Sequence, residues 1–270
     1  MHPPPPTNLT LDLGNTRDKY AVFRGHTLLH AGIGGVEERA DNGGLAPQEL
    51  PEARLDRSSL GQILAQFQPA QVLLSNTGPE RADLLEWLGQ QLPMLTLQAD
   101  TPLPFASAYQ TPQTLGRDRI ALAAGAWHRA PNQPVLAIDA GTCITLEFVD
   151  SAGVYQGGVI APGIRMRLRA MHTFTARLPL VDWNGTGQEA PLVGKSTREC
   201  LLAGAVTASA AELDGLVDRY RQEYPGMLVL LTGGDGPALA ASMKNRIFAV
   251  PHLLMEGLNK ILIYNVLERN

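Results

Sequence analysis

Apolar positions in this chain fall into short unbroken runs, and most runs close on a cluster of Gly, Thr, Asn, Ser or Asp. Residues 9–13, 71–74, 135–138 and 227–231 are such runs. A few largely apolar residues in a row, closed by turn formers, predict strands buried on both faces. Residues 19–23 and 144–149 follow two of them at hairpin distance and predict returning strands. Between strands the apolar spacing changes to three and four. Leu84, Leu85 and Leu88 mark one face of a helix over 79–92, and Ile164, Leu168, Met171 and Phe174 one face of another. Further helices are predicted over 59–67, over the Ala-rich 120–127, from a capping box at Ser196 to Glu199 as far as about Tyr220, up to about Met243, and over 253–266. Residues 34–57, 101–114, 157–163 and 181–190 read as loops. Strands alternating with helices predict an α/β protein.

Two of the strands end alike. Asp12, Leu13, Gly14, Asn15 and Thr16 close the first; Asp139, Ala140, Gly141 and Thr142 close the strand near the middle of the chain. At each hairpin tip a carboxylate can hold a cation, a glycine lets backbone N–H groups approach an anion, and a hydroxyl can donate to it. Gly141 is expected where the turn needs positive φ or a close backbone approach. Singly, such a tip is a plain turn. Its recurrence about half a chain apart, each time behind a buried strand, predicts two similar halves facing one nucleotide. No G-x-x-x-x-G-K-[ST] loop is present.

Length and composition narrow the picture. At 270 residues there is room for two subdomains. A net charge of −4 and a pI of about 5.9 carry no signature of nucleic acid or anionic membrane as partners. Cys143 and Cys200 have no metal-ligand spacing, as suits reduced thiols in the cytoplasm. Neither a signal-peptide pattern nor an apolar run of membrane-spanning length is evident. The proline-rich residues 1–7 are expected to be a disordered tail.

Other candidate positions each have a bland alternative. Asp118, opening the Ala-rich helix, is either an N-cap or a carboxylate poised to take a proton. Arg119 is a solvated charge or an anion clamp, and Lys19 a strand surface position or a phosphate contact. Arg165 and Arg169 read as a solvated or interface face. Gly233 and Gly234, between a strand and a helix, form a turn or a flat seat for a nucleotide. The Ala- and Gly-rich helix after Thr197 suits close packing, in a core or at a dimer interface.

In this order, from residue 9 to about 265, the motifs resemble those of the type III pantothenate kinases, a family of the acetate kinase, sugar kinase, Hsp70 and actin superfamily. Asp12 to Lys19 is similar to the first phosphate motif, and Gly116 to Arg119, with Tyr109 upstream, to the G-x-D-R motif. Asp139 to Thr145 is similar to the second phosphate motif, Thr232 to Asp235 to the adenosine motif, and Pro251 to Gly257 to the C-terminal signature. The resemblance implies two actin-like (ribonuclease H-like) subdomains, 8–130 and 131–270, each a mixed sheet with flanking helices, with nucleotide in the cleft between them. It implies ATP-dependent phosphorylation of pantothenate to 4′-phosphopantothenate, the first step of coenzyme A biosynthesis, with Asp118 as general base. ATP would be bound by Asp12, Leu13, Gly14, Asn15, Thr16, Arg17, Asp18, Lys19, Thr142, Gly233 and Gly234. Pantothenate would be bound by Tyr109, Gly116, Arg117, Asp118, Arg119 and Thr197. Asp12 would lie near Mg²⁺ and Asp139 would hold a monovalent cation, K⁺ or NH₄⁺. A cytoplasmic homodimer, its pantothenate pocket completed across the interface, is also implied. Here the second phosphate motif carries Cys143 and Ile144, and G-x-D-R carries Arg117 at its variable position; a cation there would weaken Asp118 as a base if the two interact. The alternatives are another kinase or a polyphosphate phosphatase of the superfamily, or a non-catalytic ATP-binding regulator.

Overall fold

One strand plan is used twice. The computed structural model describes residues 4–14, 17–34, 36–37, 53–185 and 190–268. It divides the chain into two units, Met1–Arg129 with His252–Asn270, and Ala130–Pro251.

In the first unit, β1 (Thr7–Leu13), β2 (Asp18–Arg24), β3 (Thr27–Ile33) and the two-residue β4 (Val36–Glu37) form an antiparallel meander. Helix α1 (Arg57–Phe67) leads to β5 (Gln71–Asn76), parallel to β1, and α2 (Ala82–Gln91) to β6 (Met94–Thr96), parallel to β5. The sheet order is β4-β3-β2-β1-β5-β6. The apolar runs are buried: Leu9, Val72, Leu74, Leu60 and Leu88 are sealed in one core. Each such side chain stabilises the unit by roughly 1.5–3 kcal/mol. A short β7 (Ala106–Ser107) precedes α3 (Arg117–Arg129).

The second unit repeats the plan. β8 (Val135–Ala140), β9 (Cys143–Val149) and β10 (Val154–Pro162) form the meander, and β11 (Leu228–Thr232) and β12 (Phe248–Ala249) add in parallel beside β8. The unit's own strands run β12-β11-β8-β9-β10, matching β6-β5-β1-β2-β3 position for position. Helices α4 (Ile164–Thr173), α5 (Thr197–Leu202), α6 (Ala208–Glu223) and α7 (Gly236–Ser242) cover it. A π-helical turn at Ala203–Thr207 joins α5 to α6. The helix Thr197–Glu223 is long and apolar enough to cross a membrane by length and composition, although no such run was expected. Its Ala205, Val206, Ala210, Leu213 and Val217 are buried in the core of this unit, which accounts for the apolarity.

Several expectations change. The last segment does not belong to the second half: α8 (Leu253–Ile263) is part of the first unit. Its apolar residues lie against α3 and β1, where Thr10 Oγ1 donates to Met255 Sδ at 3.4 Å and Asn8 Nδ2 to Asn259 Oδ1 at 2.9 Å. Residues 157–163, read as a tight loop, mostly belong to β10: a bulge at Tyr155/Gly157 sets the register, and Gly158 pairs with Glu147. The loop over 181–190 contributes Val181 and Trp183 to the core, residues 186–189 lying outside those described. Of the expected tail, residues 1–3 lie outside those described, while the Pro6 carbonyl accepts the Gly25 N–H at 3.4 Å and Thr7 is already in β1. Of the expected loop over 34–57, residues 35 and 38–52 lie outside the described residues. The capping box is half formed: Ser196 Oγ accepts from Glu199 N, but the Glu199 carboxylate takes the Lys195 N–H.

Candidate active site

The tip of the first hairpin is built by β1, β2 and the end of β5. Asp12 stands opposite Lys19 across β1–β2 and beside Ser75 in β5. It is buried, and its Oδ1 accepts from Ser75 Oγ at 2.9 Å. The N–H groups of Thr77 and Gly78 both donate to the Leu13 carbonyl at 2.9 Å, so the segment just after β5 braces the tip. Gly14 N–H donates to the Arg17 carbonyl at 3.2 Å and closes the turn. Asn15 and Thr16 lie outside the described residues. Asp18 is buried completely, and its carboxylate takes Arg54 at 3.1 Å, Arg81 at 2.6 Å and the Leu55 N–H at 2.8 Å. Nothing in its spacing signalled Arg54 or Arg81, because both partners come from segments remote in sequence.

A second cluster of the same unit lies around the start of α3. The helix begins at Arg117, so Asp118 is in its first turn and is not the N-cap. There the helix dipole favours a carboxylate. Asp118 Oδ1 accepts the Arg119 N–H at 2.9 Å. The glycine of the motif has a steric cause: a Cβ at Gly116 would sit 2.5 Å from Asp118 Oδ1. Arg119 is buried, its guanidinium carbon 5.6 Å from the Tyr109 ring centroid and its Nη1 3.4 Å from the Tyr109 hydroxyl. Arg117 donates to the Leu115 carbonyl at 3.0 Å. Tyr109, Gly116, Arg117, Asp118 and Arg119 are therefore one cluster.

The second unit builds the other tip. Asp139, next to last in β8, lies between Thr145 of β9 and Thr232 of β11. Gly141 does not adopt positive φ, and a Cβ there would meet only Asp139 Oδ1 and Cys143 O, both at 3.8 Å. The demand falls on Gly233 instead, with φ +93° and a would-be Cβ 2.4 Å from both Asp139 Oδ1 and the Ala140 carbonyl. Asp235 N–H donates to that carbonyl at 2.9 Å, and its buried carboxylate accepts Trp183 Nε1 at 3.0 Å and Arg165 Nη1 at 3.1 Å. Thr142 and Gly234 are exposed at the tip. Thr197 is exposed in the first turn of α5, after the N-cap Ser196. Arg165 thus braces the glycine turn rather than facing only solvent, and Trp183 does the same; an indole 52 residues upstream of its acceptor leaves no local sequence signal.

The family model for type III pantothenate kinase matches residues 8–219. A type III pantothenate kinase of Bacteroides fragilis is 37% identical over 263 residues, covering 96% of this chain and 98% of its own. That of Christiangramia forsetii is 38% identical over 259 residues, with the same shares. Among solved structures, a Campylobacter jejuni chain described as a Baf family transcriptional activator superposes with a TM-score of 0.55 at 21% identity, covering 95% of this chain and 98% of its own; it attests to the fold alone.

Proposed function

Because the chain belongs to the type III pantothenate kinase family, whose members phosphorylate pantothenate with ATP in coenzyme A biosynthesis, we propose that Asp118 is its general base. The observation that carries this role is the seating of its carboxylate. Gly116 leaves it room, the Arg119 N–H fixes Oδ1, and the Tyr109–Arg119 pair stands beside it. Asp118 orients the primary hydroxyl of pantothenate and accepts its proton, a contribution of about 10²–10⁴-fold. Tyr109, Gly116, Arg117, Arg119 and Thr197 contact pantothenate; Arg119, buried against an aromatic ring, is an anion clamp for its carboxylate.

The two hairpin tips bind ATP. Asp12, Leu13, Gly14, Asn15, Thr16, Arg17 and Lys19 take the phosphates, Asp18 shapes their loop, and Thr142, Gly233 and Gly234 contact the nucleotide. Phosphoryl transfer needs chiefly positioning and charge neutralisation. Mg²⁺ bound with ATP supplies part of that neutralisation, and Asp12 offers the hard carboxylate oxygen it prefers. The monovalent cation, K⁺ or NH₄⁺, is assigned to Asp139. In support, the buried hydroxyl of Thr145, cross-strand from Asp139, has no hydrogen-bond partner among the described residues. Both cysteines are free thiols, as suits the cytoplasm, and a net charge of −4 calls for neither nucleic acid nor an anionic membrane as partner.

The test is ADP release by the full chain with Mg-ATP, with and without pantothenate, in K⁺ and then Na⁺ buffer, with Asp118→Asn alongside. Turnover is expected only with pantothenate and K⁺, falling at least about 100-fold in the variant. Near-normal turnover in Asp118→Asn removes the base. ADP release indifferent to pantothenate makes this chain a hydrolase or a different kinase.

A further inference from the structure

We propose that Arg54 is a positioning residue for the first phosphate loop, aimed by Asp18 and acting through the carbonyl of Gly14. The inference rests on the reading of residues 12–19 as the ATP phosphate loop. Arg54 Nη1 donates to Gly14 O at 2.6 Å and to Asp18 Oδ1 at 3.1 Å. A carbonyl in a phosphate loop is a hazard, because its oxygen repels the anion that the neighbouring N–H groups attract. A guanidinium on that oxygen fixes the peptide plane and cancels the negative end of its dipole.

The surrounding contacts separate this role from simple fastening. The segment entering α1 is already tied to the hairpin by Asp18 N–H to Ala53 O at 2.9 Å and Leu55 N–H to Asp18 Oδ2 at 2.8 Å. Arg81 adds a bond to Asp18 Oδ2 at 2.6 Å and a donation to the Leu55 carbonyl. Arg54 is not needed for that tie, and its short bond goes to the loop. Two guanidiniums against one carboxylate also leave a net positive charge at the base of the loop. The Asp18 side chain is fully buried, whereas that of Arg54 keeps 34% of its surface exposed. The carboxylate is the fixed hub and Arg54 the arm that reaches the loop.

The experiment compares Arg54→Ala, Arg54→Lys and Lys19→Ala with the wild-type full chain. The readouts are KM for ATP, KM for pantothenate, kcat and the thermal unfolding midpoint. Loss of one hydrogen bond to a charged group predicts a rise in ATP KM of about tenfold or more in Arg54→Ala. Pantothenate KM and the unfolding midpoint should hardly move, and kcat at saturating ATP should fall far less than kcat/KM. Arg54→Lys keeps the charge but loses the fork, so its ATP KM lies between the two; it decides the matter if the alanine variant does not fold. An unchanged ATP KM in both Arg54 variants overturns the inference if Lys19→Ala raises it. If Lys19→Ala leaves it unchanged as well, the phosphate-loop reading has failed first. Equal losses for both substrates with a lowered midpoint assign Arg54 to structure alone and also overturn the inference.

Discussion

Gly233 shows how much of this site rests on single atoms. Its φ of +93° is strained for any side chain, and a Cβ would stand 2.4 Å from an oxygen of Asp139 and from the Ala140 carbonyl. Those oxygens belong to the strand end that carries the second phosphate motif, so neither can yield without moving the site. Gly233→Ala is expected to lower stability by about 1–3 kcal/mol and to raise KM for ATP with little change in KM for pantothenate. Thermal unfolding and steady-state kinetics on the same preparation check both halves. The glycine pair was legible in the sequence as a flat turn, but the identity of its neighbours was not. Asp139, Asp235, Arg165 and Trp183 meet there only because β8, β11, α4 and the segment before α5 converge. Asp118 illustrates the converse. Its motif was legible, while its position inside the first turn, rather than at the N-cap, depends on where the backbone becomes helical.

At the scale of elements, the contact between α3 and α8 fixes the start of the Asp118 cluster. The two helices cross on facing glycines. A Cβ at Gly125 would lie 2.3 Å from the Leu253 carbonyl, and one at Gly257 would lie 1.8 Å from the Ala121 carbonyl. Backbone meets backbone there, so an added methyl must push the helices apart. Gly257→Ala is expected to cost about 1–3 kcal/mol of stability, the usual range for overpacking. Because α3 carries Asp118 and Arg119 in its first turn, kcat should fall as well. Gly61 of α1 is the control: a Cβ there meets nothing within 4 Å. Gly61→Ala should gain roughly 0.5–1 kcal/mol and leave kinetics unchanged; denaturant melts of both variants read the contrast. The strands behind both hairpin tips were visible as unbroken apolar runs because both their faces are buried, and most helices as periodicity, since burial of one face imposes it. The region over 157–163 was misread because its glycines signal turns, whereas in β10 Gly158 is small so that the Leu146 carbonyl can approach.

For the whole molecule, the sequence reading split the chain at its middle, and duplicated tips justified that. The return of α8 to the first unit could not be read locally, because an amphipathic helix shows that a face is buried and not which sheet buries it. The same limit affected the dimer signal. The small residues after Thr197 suited either a core or an interface, and Ala205 and Ala210 are spent in the core of their own unit. The exposed apolar surface lies elsewhere. Among the described residues, Ile160, Met166, Phe174, Leu180, Leu192 and Val193 are large hydrophobics left in solvent within one stretch of the second unit, Phe174 at 84% and Leu192 at 85% exposure. Isolated exposed hydrophobics are ordinary; exposed hydrophobics that adjoin in space mark an interaction surface. We propose that the homodimer implied by the family resemblance uses this stretch, with each copy covering roughly 800 Å² of the other. Sedimentation velocity should find the wild type dimeric and Phe174→Glu/Leu192→Glu monomeric. Its unfolding should lose concentration dependence without collapse of the fold, because neither side chain is part of the core. If the partner copy completes the pantothenate pocket, the monomer's KM for pantothenate rises more than its KM for ATP. A variant that stays dimeric moves the interface off this stretch, and a monomeric wild type removes the dimer altogether.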